Sequence, residues 1–219
     1  MPPSAVEKRI LVDCENHEFS FITNSRHVHL KISCIYNCKF LESLLDDMER
    51  LLPYLRRLRI ERCPEMEPFS AGSLPSSLKE LEIIECDKLL SSHTEWHHLP
   101  TITQLDISTP SDTLHCRGLQ HLTSLQELQI LDSPKLKTIE GGMMPPSLQW
   151  LIISGCCLLE ERCCNKDEEI WPKISHVPQI TLDRMDLRCT NMIPHSNCYF
   201  NTPGLSLNIS FKLDNTRPF

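Results

Sequence analysis

The sequence predicts an α/β solenoid: a curved parallel sheet on the concave side, with irregular loops and short helical turns on the convex side. Three observations predict it. An apolar motif recurs at nearly constant spacing, each motif core alternates as a short strand does, and prolines fall in the segments between motifs. Together they describe a unit that cannot bury its apolar side alone and must stack on copies of itself.

The motif is clearest at Leu55, Leu58, Ile60 and Cys63, which fit L-x-x-L-x-L-x-x-C. It returns at Leu78, Leu81, Ile83 and Cys86, and at Ile102, Leu105 and Ile107 with Pro110 in the cysteine slot. Two more copies run Leu125, Leu128, Ile130, Ser133 and Leu148, Leu151, Ile153, Cys156. Their starts at 55, 78, 102, 125 and 148 are 23, 24, 23 and 23 residues apart. A period of about 20–29 residues with this motif is the signature of a leucine-rich repeat.

Flanking copies are worn. His27, Leu30 and Ile32 predict a strand upstream, and Val177, Ile180 and Leu182 predict one downstream. The domain reading is therefore a repeat domain over 27–182, a degenerate repeat or cap over 1–26 around Ile10 and Val12, and a non-repeat tail over 183–219.

Within each L-x-L core the two apolar side chains point inward and the residue between them points to the opposite face. Each buried aliphatic side chain contributes roughly 1.5–3 kcal/mol. The cysteine slot falls where the chain leaves the sheet, a place for a small, weakly polar, buried group. A second apolar rung follows at Met66 and Phe69, Leu89 and Leu90, Leu136 and Ile139, and Leu158 and Leu159. Pro64, Pro75, Pro134 and Pro145 in these return segments exclude long helices there.

Composition removes several function classes. The formal net charge is -7 and the pI about 5.8, which argues against indiscriminate binding to nucleic acid or an anionic membrane. None of the six glycines sits in a phosphate-cradling motif. No apolar run approaches the roughly 18 residues of a membrane span. The start Met1-Pro2-Pro3-Ser4 lacks an apolar secretory core, so a cytoplasmic location is expected, with the twelve cysteines as thiols.

Finer details narrow the family. Leu74-Pro75-Ser76-Ser77-Leu78-Lys79-Glu80-Leu81-Glu82-Ile83, its echo Met144-Pro145-Pro146-Ser147-Leu148-Gln149-Trp150-Leu151, and Gly118-Leu119-Gln120-His121-Leu122-Thr123-Ser124-Leu125 carry a resemblance. So does the closing Trp171-Pro172-Lys173-Ile174-Ser175-His176-Val177-Pro178. Over residues 27–182 the chain resembles the C-terminal repeats of plant nucleotide-binding leucine-rich-repeat resistance proteins of the coiled-coil subclass. The resemblance implies a partner that is a pathogen effector, a host target or the receptor's own nucleotide-binding domain, and a role in recognition and restraint. No residues here match that family's nucleotide-binding module, so the chain is not expected to signal alone. A substrate-selecting adaptor for ubiquitination and a truncated decoy or regulator are the alternatives.

Aligning the copies predicts rows across the concave sheet. One runs Lys31, Arg59, Glu82, Asp106, Gln129, Ile152, Thr181, and the row before it runs His29, Arg57, Glu80, Gln104, Glu127, Trp150, Gln179. The candidate protein-binding residues are Arg57, Arg59, Arg62, Glu80, Glu82, Asp106, Glu127, Gln129, Trp150 and Ile152. The arginines have two readings: pairing with Glu80, Glu82 and Glu85 on the next repeat, or docking an acidic partner. Trp150 and Ile152, beside Leu131, also have two readings: a binding hot spot, or a patch covered by the tail or by a cap that the last repeats form.

No catalytic residue, cofactor or metal is expected. His93-Thr94-Glu95-Trp96-His97-His98 lacks the H-E-x-x-H order, and the pairs Cys156-Cys157 and Cys163-Cys164 lack C-x₂-C spacing. Cys34-x₃-Cys38 is no better, and His115-Cys116 beside Asp112 has no pocket assigned to it. Asn208-Ile209-Ser210 is a glycosylation sequon, unused in a cytoplasmic protein.

Overall fold

The computed structural model describes residues 8–12, 30–44, 47–91, 94, 96–99 and 102–183. Its strands are β1 (Lys8–Val12), β2 (Ile32–Tyr36), β3 (Arg57–Glu61), β4 (Glu80–Ile84), β5 (Gln104–Ser108), β6 (Thr113–His115), β7 (Glu127–Leu131), β8 (Thr138–Glu140), β9 (Trp150–Ser154) and β10 (Gln179–Asp183). Among the described residues, eight of these form one sheet in the order β1-β2-β3-β4-β5-β7-β9-β10, every neighbouring pair parallel. This is the expected repeat solenoid. Its helices are short: α1 (Met48–Leu51), α2 (Cys157–Cys164) and α3 (Trp171–Ile174). Strands β6 and β8 pair separately, in the return segments.

Register explains the periodicity. Leu58, Leu81, Leu105, Leu128 and Leu151 stand side by side, as do Ile60, Ile83, Ile107, Ile130 and Ile153. All ten are at most 1% exposed, so each repeat completes its neighbour's core. The second rung closes the other side with Met66, Leu89, Leu136, Ile139 and Leu159 buried. Leu158 departs from expectation: helix α2 carries Leu159 inward and leaves Leu158 39% exposed.

The chain leaves the sheet through a recurring left-handed residue that the motif does not advertise. Asn37, Arg62, Glu85, Asp132 and Gly155 all have positive φ and immediately precede the cysteine slot. The first four donate a backbone N–H to the last strand residue of the next repeat, at 2.8–2.9 Å. Gly155 is required by space as well, since a Cβ there would lie 2.9 Å from Asp132 Oδ1. In the slot, Cys86 Sγ donates 3.3 Å to its own strand at Ile84 O and 3.7 Å to Ile60 O of the preceding repeat. Cys156 does the same with Ser154 and Ile130, at 3.4 and 3.5 Å.

Two local expectations are corrected. Pro110 does not occupy the slot of the third repeat; it is exposed, and Thr109 is buried instead. A β-branched threonine resists the left-handed conformation, so the turn is made differently and the Thr109 N–H donates to Ser133 Oγ at 2.9 Å. Upstream, Ile32 rather than His29 pairs with Arg57, placing Leu30, Ser33, Ile35 and Cys38 at the motif positions. The register slips three residues from the expected one because Ser33, only 3% exposed, sits where an aliphatic residue was sought. Strand β1 extends the sheet beyond β2. The rest of 1–26 and of the proposed tail lies outside the described residues, Asp183 excepted.

Candidate protein-binding face

Alternate strand residues form the open face opposite the core. Register places Ile32, Arg57, Glu80, Gln104, Glu127, Trp150 and Gln179 in one row, and Cys34, Arg59, Glu82, Asp106, Gln129, Ile152 and Thr181 in the next. The expected rows are therefore right from β3 onward, while His29 and Lys31 give way to Ile32 and Cys34. A third row includes Tyr36, Glu61, Ile84 and Leu131, all half-buried.

The arginines are held by carboxylates of their own sheet. Arg57 contacts Glu80 and lies 3.9 Å from Glu82. Arg59 reaches Glu82 at 2.7 Å and Glu61 at 2.8 Å, with its guanidinium 5.7 Å from the Tyr36 ring centroid. Arg62 belongs to the turn rather than the strand, and pairs with Glu85 at 3.2 Å and Glu61 at 3.3 Å. Glu61 and Tyr36 were not singled out from sequence. Their signal was the same row logic carried two residues further along the strand.

Charge balance changes at β5. Gln104 Nε2 donates to both Asp106 oxygens at 3.2 Å, and Gln129 Nε2 donates to Glu127. Burial pushes the Asp106 carboxyl up to about 6; the Gln104 hydrogen bond opposes this, while Glu82 and Glu127 add to it. On β9, Trp150 is 41% exposed and donates its indole N–H to Gln179 Oε1 at 2.7 Å. Ile152 beside it is half-buried, with Leu131 diagonally opposite. The face thus passes from a neutralised arginine–glutamate belt, through acids without arginines, to an aromatic and aliphatic end.

The cysteine and histidine clusters are spread through the fold. Cys156 fills a core slot, and Cys163 and Cys164 face inward on α2. Burial pushes the thiols of Cys116 and Cys163 up to about 12 and that of Cys156 to about 11, which keeps them protonated. Trp96 is buried with its indole N–H on His115 O at 2.8 Å; His93 and Glu95 lie outside the described residues. Among the described residues, no group of three or more histidine, cysteine or acidic side chains is placed to hold a metal ion. A cavity of about 70 Å³ lined by His97, Ile102 and His121 is well below the roughly 300 Å³ of a small-molecule site. No described helix is long and apolar enough to cross a membrane.

No protein-family model matches this chain, and a search of curated proteins finds no match.

Proposed function

We propose that the chain is a protein-recognition module whose partner docks on the open sheet face between β3 and β9. The observation that carries this reading is Trp150: a large aromatic side chain 41% exposed on the sheet, its indole pinned by Gln179 and flanked by Ile152. Tryptophan so presented has the character of a binding hot spot. The rigid stacked scaffold behind it supplies a preorganised surface.

The sequence resemblance supports a finer reading. In a plant nucleotide-binding receptor this face would recognise a pathogen effector or host target, and help restrain the nucleotide switch. The work would be done in the cytoplasm, without a cofactor or a chemical step. The test is partner affinity with stability measured in parallel. Trp150→Ala should weaken binding at least tenfold while leaving the cooperative melt in place. Unchanged affinity would overturn the open-face assignment.

A further inference from the structure

The chemistry of the open face also bears on what kind of partner it takes, an inference that rests on the face being the recognition surface. The arginines of β3 are already occupied by Glu80, Glu82 and Glu61, so they offer an acidic partner little. Two and three strands on, Asp106 and Glu127 are met by amides rather than cations: among the described residues neither has an ion-pair partner. Glu127 lies directly beside Trp150 in register. The hydrogen bond to Gln179 fixes the orientation of the Trp150 ring. A lysine ammonium or arginine guanidinium over such a ring gains from the π face and from the neighbouring carboxylate together. Trp150 and Asp106 are two strands and two residues apart, about 12 Å, which four extended residues would span. The formal net charge of -7 attracts a cation in the same sense.

We infer that the open face over β5, β7 and β9 takes a basic extended segment of a partner protein, one Lys or Arg seated on Trp150 beside Glu127 and a second reaching Asp106. The half-buried Gln129 and Ile152 lie beside the line between the two cations and would meet the residues between them.

Two labelled twelve-residue peptides test this by fluorescence anisotropy on the full chain, one alternating lysine with alanine and one alternating glutamate with alanine. The lysine peptide should bind at least tenfold tighter. Trp150→Ala, Glu127→Gln and Asp106→Asn should each weaken it three- to tenfold. Glu161→Gln, an exposed acid on α2, should change it less than twofold. Equal effects of Glu161→Gln and Glu127→Gln would reduce the attraction to net charge and overturn the inference. Tighter binding of the glutamate peptide, abolished by Arg57→Glu with Arg59→Glu, would overturn it while leaving the open face as the docking surface. No lysine-peptide binding would overturn it alone, since partner affinity tests the face independently. Self-association lost in Trp150→Ala, read by light scattering, would give the face to a second copy instead.

Discussion

At the scale of single residues, Asp106 shows how a neighbourhood overrides an intrinsic property. Its carboxyl ionises near pH 6 because burial disfavours the charge, and Glu82 and Glu127 repel it more than Arg57 relieves it. With the folded value above the usual 3.8, protonation stabilises the fold. That contribution is complete below about pH 3.8 and is lost as pH rises through about 6. Asp106→Asn should therefore stabilise the protein at pH 7 by about 1–2 kcal/mol, the full shift being discounted for residual solvent screening. At pH 5 the gain should be about half as large. Urea midpoints at the two pH values check this, and an equal gain at both would contradict it. Nothing at position 106 taken alone foretells the effect. It needs Glu82, Glu127 and Gln104 brought beside it by register, whereas the pairing of Arg57 with Glu80 could be anticipated from row alignment.

A repeat is a strand, a turn that is left-handed in all but the one at Thr109, and a return loop, and its stability is borrowed from the rungs on either side. Leu128 lies between Leu105 and Leu151 and is 0% exposed. Leu128→Ala should cost about 2–5 kcal/mol. Leu128→Asp buries an unpaired charge and should unfold β5, β7 and β9 together. Loss of amide protection across those three strands in hydrogen exchange is the expected result, and a melt indistinguishable from the parent would contradict the shared core. Where the aliphatic alternation was intact, from Leu55 to Ile153, strand and register were legible in the sequence. They were misread where a polar residue held a core position, as Ser33 does, or where turn chemistry changed, as at Thr109. The left-handed turns were invisible because Asn, Arg, Glu, Asp and Gly share no side-chain pattern; what unites Asn37, Arg62, Glu85 and Asp132 is a backbone hydrogen bond to the next repeat.

For the whole molecule, stacking separates a buried core from an open face. One side of the sheet is spent on the aliphatic ladder, leaving the other side free to vary in charge and shape without affecting the fold. The gradient from the arginine belt to Trp150 lives entirely on that second side, and the proposed recognition role rests on it. A photo-crosslinking residue placed in turn at Gln129, Ile152 and Thr181 on the open face, and at Lys135 and Glu161 on the return side, tests the claim most directly. The account predicts adducts with one partner protein from the three open-face positions and none from the return side. Adducts confined to Lys135 and Glu161 would contradict it.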